Sequence, residues 1–313
     1  MSVAALFASH SPLQDYYEPA PSVSAEVRGA LSSMSRWARD FDPDVVVVIG
    51  PDHYNSFFYR LMPSFCIGTA VESIGDWNTP SGSVSVASET AQQCVQFMHR
   101  AGVDVALSHQ MEIDHGSTQF LNQIFDWSSL PPIIPIFINC AAPPLPPLTR
   151  VVALGQALGE FLDSLTGQIL IMASGGLSHD PPVPSLANAP PAVRERLIVG
   201  GMLEPEARAA RQQRVLDDAL AQRDGTSASR PLNPKWDQQF LDNLEAFDFN
   251  SIAKMDDESI TAEGGCGGHE VRTWIAAAAA AQHCDARSLE RLFYRPIPEW
   301  IAGYGLMKAS HST

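Results

Sequence analysis

The chain has 313 residues, 45% of them hydrophobic and 18% charged, and 20 Lys and Arg against 35 Asp and Glu leave a formal net charge of −15. That length supports a large buried core, and the apolar content excludes intrinsic disorder. The acidity argues against nucleic acid and against an anionic membrane surface, because both are gripped by clustered Lys and Arg, and no stretch approaches the ~20 apolar residues of a membrane span.

The first apolar run, residues 3–8, has the length of a buried strand and passes straight into His10, without the basic flank of a signal peptide. Residues 24–41 place Val27, Leu31, Met34, Ala38 and Phe41 at spacings of four and three, the pattern of a helix with one apolar face. A second Val- and Ile-rich run covers 45–50. A helix over 86–101 carries Cys94, Val95 and Met98, and another covers 118–127, with His115 in the loop before it. A third apolar run, 133–139, precedes a helix over 148–165 that Gly167 stops, and the fourth run is 169–173. This alternation predicts an α/β fold with a central, mostly parallel sheet flanked by helices on both faces. Beyond Pro191 come a charged helix over 204–223 and a segment with Trp236, Phe240, Leu244 and Phe247. A final helix runs from about His269 to about Cys284, and its alanine run 276–281 reads as amphipathic. The proline-rich stretches at 131–132, 143–147 and 181–191 read as loops near the sheet, and 1–313 as a single domain. Five cysteines, an odd number without CxxC, read as the reduced thiols of a cytoplasmic protein.

Nine histidines are present, and three of them follow predicted strands. His10 lies in Ser9-His10-Ser11-Pro12, His53 in Pro51-Asp52-His53-Tyr54-Asn55, and His179 in Gly175-Gly176-Leu177-Ser178-His179. Ligands of open α/β sheets bind outside the carboxyl ends of the strands, so these histidines should converge on one crevice, where His115 of Asp114-His115-Gly116 can join them. Asp52, Asp114 and Asp180 each adjoin a histidine, but adjacent side chains of extended chain point apart. His99, His109, His283 and His311 read as structural. HExxH, Cys₂His₂ and DxDxDG patterns are absent, as are GxSxG, GxGxxG and the P-loop. Two imidazoles and one carboxylate with open positions suit a non-haem Fe(II). A candidate carboxylate is Glu270, within Gly264-Gly265-Cys266-Gly267-Gly268-His269-Glu270, where glycines permit close backbone approach, although a Glu at a helix start is also favoured by the helix dipole alone.

Taken in order, these motifs, with Pro181-Pro182-Val183-Pro184 and the terminal Tyr294-Arg295-Pro296-Ile297-Pro298-Glu299-Trp300, resemble the class III (LigB-type) extradiol ring-cleaving dioxygenases over nearly the whole chain. The resemblance implies that His10, His53 and Glu270 bind Fe(II), that His179 is the base and His115 the proton donor, and that His269 either supports a neighbouring ligand or is structural. It implies O₂-dependent opening of a catechol ring beside its two hydroxyls, with 3-(2,3-dihydroxyphenyl)propionate and the related dihydroxycinnamate as substrates, and a homo-oligomer. Such a substrate is an anion and needs a local cation, for which Arg60 and Arg295 are candidates by position, each also readable as a solvated surface residue. The histidine and aspartate clusters by themselves also suit a metal-dependent hydrolase, and the fold alone suits a non-catalytic metal- or ligand-binding protein.

Overall fold

A strand of consecutive Val and Ile has no polar face, so it is stable only where both sides are covered. Four such strands form the centre of the computed structural model, which describes residues 2–201 and 203–309. They are β1 (Ser2–Ala8), β2 (Val45–Gly50), β8 (Ile133–Ile138) and β9 (Gln168–Ser174), mutually parallel in the order β1-β9-β2-β8. They correspond to the four apolar runs, within a residue or so at each end. Successive β1 residues face opposite layers: Val3, Ala5 and Phe7 join one core, and Ala4, Leu6 and Ala8 the other.

Shorter strands extend this centre. On one side β3 (Phe65–Gly68) runs antiparallel to β8, and β6 (Ala106–Ser108) pairs beside it. On the other, β11 (Ala302–Ala309) runs antiparallel to β1, followed by β10 (Leu289–Ile297). The eight-stranded sheet is therefore parallel in its middle and mixed toward its edges. A separate three-stranded sheet joins β4 (Val71–Ile74), β5 (Ser81–Val84) and β7 (Met111–Ile113), with β4 and β7 parallel. None of these seven strands has the long Val- and Ile-rich run that marks a doubly covered strand.

The helices are α1 (Pro21–Phe41), α2 (Ser88–Arg100), α3 (His115–Ile124), α4 (Leu148–Asp163), α5 (Pro191–Val199), α6 (Pro205–Arg223), α7 (Pro234–Glu245), α8 (Phe249–Ile252), α9 (Asp257–Gly264) and α10 (Val271–His283). Apolar residues of α1 and α3 cover one sheet face, and those of α2, α4, α7 and α10 the other. Two expectations need correction. His115 is not in a loop but opens α3, because Asp114 caps the helix by accepting the Gly116 N–H. The alanine helix is not amphipathic, since every residue from Val271 to Ala281 is buried. Small side chains on all sides let α10 lie between the sheet and α4. No described helix is long and apolar enough to cross a membrane.

The α4–α10 contact depends on glycine. A Cβ at Gly155 would sit 2.3 Å from the Ala276 carbonyl oxygen and 2.7 Å from the Ala279 Cβ. Helix propensity favours Leu over Gly, so a loss of stability in Gly155→Leu reports packing alone. Urea unfolding should show a loss of about 1–3 kcal/mol; an unchanged midpoint would mean that α10 can move off α4.

Candidate functional site

The parallel order β1-β9-β2 places three loops side by side at the carboxyl ends of neighbouring strands, and these loops carry His10, His179 and His53. The small sheet repeats the arrangement. Its parallel strands β4 and β7 deliver Asp76 and the pair Asp114-His115 from their carboxyl ends. Glu270 arrives from the opposite layer, at the end of the short 3₁₀ turn Gly267–Glu270 that leads into α10. It precedes the helix instead of lying within its first turn. All five residues singled out in the sequence meet at one pocket or its floor: His10, His53, His115 and His179 line it, and the Glu270 carboxylate touches three of them.

Glu270 Oε2 lies 3.6 Å from His10 Nε2, and Oε1 lies 3.3 Å from His53 Nε2 and 3.4 Å from His179 Nε2. Oε2 also accepts the Gly176 N–H at 2.7 Å. The other ring nitrogens are held from behind. His53 Nδ1 meets Asp114 Oδ2 at 3.1 Å, His115 Nδ1 meets Asp76 Oδ2 at 2.6 Å, and His179 Nδ1 meets the Leu177 carbonyl at 3.0 Å. Carboxylate and carbonyl oxygens can only accept, so each of these Nδ1 atoms carries a proton. His10 Nδ1 is 3.2 Å from Ser174 Oγ. Imidazoles backed in this way are the usual metal ligands, with ring orientation set by the outer partner.

Electrostatics separates the imidazoles. Burial lowers the His10 pKa to about 3, so its ring is neutral and offers a lone pair. Burial also opposes charge on His53, but the adjacent carboxylates of Asp114 and Glu270 outweigh it and raise that pKa well above the ordinary value. His179 is raised in the same sense, with Glu270 overcoming its burial. For Glu270 burial favours the neutral acid, yet His179 and His10 and the hydrogen bonds around it hold the carboxyl well below its ordinary range. His10 Nε2 and His53 Nε2 both lie against the ionised Glu270 carboxylate, and once a metal displaces the His53 proton these three make a donor set that fits a divalent transition metal with open positions. His115 is close enough to form a second possible group with His10 and His53, and its ring stacks on His53 at 4.5 Å between centroids.

Glycine makes room for His179. A Cβ at Gly176 would fall 2.1 Å from its ring and one at Gly267 2.0 Å from its Nε2, while Gly265, at φ +80°, lies against its carbonyl oxygen. The close approach expected of the glycine-rich segment is therefore an approach to His179.

The aspartates serve other residues than their neighbours. Asp114 holds His53, Asp52 accepts backbone N–H groups of Asn55, Ser56 and Phe57, and Asp180 accepts those of Cys266 and Arg230. Among the described residues, His99 bonds the Val105 carbonyl, His109 bonds Thr69, and His269 lies between Arg272 and Thr261. His283 packs against Gly159, and His311 lies outside the described residues. Neither arginine candidate reaches the pocket: Arg60 is exposed, and Arg295 pairs with Glu26 at the surface. Sequence reasoning missed Asp76, Trp77 and Arg211. The first two follow a four-residue strand too short to stand out, and Arg211 is one of many charges on α6.

The family described as the catalytic LigB subunit of aromatic ring-opening dioxygenase matches residues 4–305. The chain belongs to the LigB family. Relatives named 2,3-dihydroxyphenylpropionate/2,3-dihydroxicinnamic acid 1,2-dioxygenase include one from Mycolicibacterium smegmatis, 44% identical over all of both chains. Another, from Cupriavidus pinatubonensis, is 45% identical over 96% of each chain, and one from Photorhabdus laumondii is 40% identical over 100% of this chain and 99% of its own. The crystal structure of an uncharacterized protein from Escherichia coli K12 shares the fold, with a TM-score of 0.52, 13% identity and 99% of each chain covered. This LigB-family chain is thus a ring-cleaving dioxygenase with a small aromatic substrate and a metal cofactor.

Asp114 ties these parts together, because it accepts from the His53 N–H, His53 Nδ1, the Asn55 amide and the Gly116 N–H while buried. Asp114→Ala should lower the unfolding free energy by about 3 kcal/mol in urea titration, since it strands buried donors. A loss too small to measure would show that the loops find other partners.

Proposed function

We propose that the protein is an Fe(II)-dependent extradiol dioxygenase that opens the ring of 3-(2,3-dihydroxyphenyl)propionate, and of 2,3-dihydroxycinnamate, with O₂. The product is a 2-hydroxy-6-oxonona-2,4-dienedioate or its unsaturated analogue, both oxygen atoms being incorporated. The observation that carries this reading is the convergence of His10 Nε2, His53 Nε2 and the Glu270 carboxylate, with His179 and His115 beside them in one pocket. The names of relatives 40–45% identical over at least 96% of both chains support the substrate.

In this reading His10, His53 and Glu270 hold the metal. Fe(II) held there would supply the one-electron chemistry that a spin-paired aromatic needs to react with O₂. His179, whose Nδ1 donates to the Leu177 carbonyl, presents Nε2 to the pocket as the atom that takes a phenolic proton as the catechol enters. His115, anchored by Asp76, delivers a proton on the other side of the ring as the carbon skeleton opens. The apolar walls at Leu13, Val183, Trp300 and Ile301 hold the aromatic ring and exclude bulk water. One domain covering 1–313, a homo-oligomeric assembly and a cytoplasmic setting complete the reading. The pairing of β11 with β1, which joins the two ends of the chain in one sheet, supports the first of these.

Anaerobic reconstitution with Fe(II), addition of the catechol and admission of air should give a yellow ring-opened product. No colour with any 3-substituted catechol would overturn the reading. His10→Ala, His53→Ala and Glu270→Ala should lose bound iron, whereas His115→Gln and His179→Gln should keep iron and lose turnover; iron loss in His115→Gln would make it a ligand. Gly267 has ordinary backbone angles, so Gly267→Ala disturbs chiefly His179. It should retain iron and lower turnover by about 100-fold, as expected for an ångström-scale displacement of a catalytic group.

A further inference from the structure

A substrate carrying a propionate carboxylate enters a protein of net charge −15, so a particular cation must receive it. Among the residues that line the pocket, Arg211 is the sole Lys or Arg. It stands on α6 beside Val215, one turn further along the same helix face, and Val215 also lines the pocket. One Arg211 donor is engaged: Nη2 gives a hydrogen bond to the His53 carbonyl oxygen at 3.1 Å. Among the described residues it makes no further hydrogen bond or ion pair. A guanidinium that forms no ion pair, at the wall of a pocket whose other polar lining groups are Ser11 and the four imidazoles, is a receptor for an anion, and the buried carboxylates of Asp114, Asp76 and Asp52 act on its charge only at longer range. Its tie to the His53 backbone fixes it relative to the ring-opening centre. The remaining walls, Leu13, Val183, Val215, Trp300 and Ile301, offer the aromatic ring and its two methylenes apolar surface and no rival charge.

The geometry points to Arg211 as the specificity-determining residue, receiving the side-chain carboxylate of the 3-substituted catechol on its remaining N–H groups. This rests on the ring-opening reading of the site. The fork of a guanidinium accepts a carboxylate through paired hydrogen bonds, whereas an uncharged chain of equal length leaves the fork unpaired.

The test compares kcat/KM for 3-(2,3-dihydroxyphenyl)propionate and for 3-propylcatechol, which has the same chain length without the charge. In Arg211→Gln the ratio of the two should fall by about 10- to 100-fold, the range of one charge-assisted contact, mainly through KM; Arg211→Lys should fall less. Trp77 and Trp300 line the pocket, so tryptophan fluorescence can follow binding of 3-phenylpropionate without turnover. Its Kd should rise by a similar factor in Arg211→Gln. Arg295→Gln, at the surface ion pair with Glu26, should leave the ratio and the activity unchanged. An equal loss on both catechols with an unchanged Kd would reduce Arg211 to a support for the His53 loop and overturn the inference. So would a shift in Arg208→Gln, which lies three residues earlier on α6 and lines a neighbouring pocket with Arg211, and none in Arg211→Gln. If the wild type cleaves neither catechol, the ring-opening reading fails, and the fluorescence titration still decides whether Arg211 binds the carboxylate.

Discussion

A buried carboxylate is stable as an anion only where positive charge and hydrogen-bond donors replace the water it has lost. Glu270 is such a group, and the centre is built around it. Three imidazoles and the Gly176 N–H surround its two oxygens, and the pull of those groups keeps it ionised despite its burial. The surrounding backbone is shaped to admit it. A Cβ at Gly175 would lie 2.6 Å from the Glu270 carbonyl oxygen, and the helix that follows Glu270 is almost entirely alanine where it passes between the sheet and α4. A bulkier helix would stand off the sheet and withdraw the carboxylate from the histidines.

The histidines reach that carboxylate through one repeated device, the carboxyl end of a parallel strand pair. In the main sheet β1, β9 and β2 are neighbours, so residues 10, 179 and 53 become neighbours although far apart in the chain. The β4–β7 pair does the same for Asp76 and His115. It also explains why the aspartate beside a histidine is not the one that orients it. Successive side chains leaving a strand diverge, so Asp114 turns to His53, 61 residues away, and His115 is held by Asp76, 39 residues away.

Net charge and local charge act separately here. The overall −15 would repel any anion at long range, and the ionic atmosphere screens it within about a Debye length, ~8 Å at physiological salt. Inside the pocket the charges are placed individually: Arg211 lines the wall, and the carboxylates of Asp76 and Asp114 lie behind the imidazoles that they orient. The surface charge therefore bears on solubility, and recognition is left to groups that the solvent screens poorly.

Much of this was readable along the chain. The strands β1, β2, β8 and β9 announce themselves because a doubly covered strand must be apolar at every position. The histidines at their ends follow from the rule that α/β sheets bind ligands there, and the motif order identified the family together with Glu270. What stayed hidden depends on partners distant in sequence. The edge strands are short and half-exposed, and carry little signal of their own. Asp76 and Arg211 look like ordinary surface charges until β4 and α6 are packed against the pocket. The alanine run fitted an amphipathic helix equally well, because small residues are tolerated both in solvent and in tight contact. Local pattern encodes which segments must be buried and which residues are chemically able; only the tertiary packing decides which of those residues meet, because side-chain pairing across a sheet is set by strand order, and strand order is a property of the whole chain.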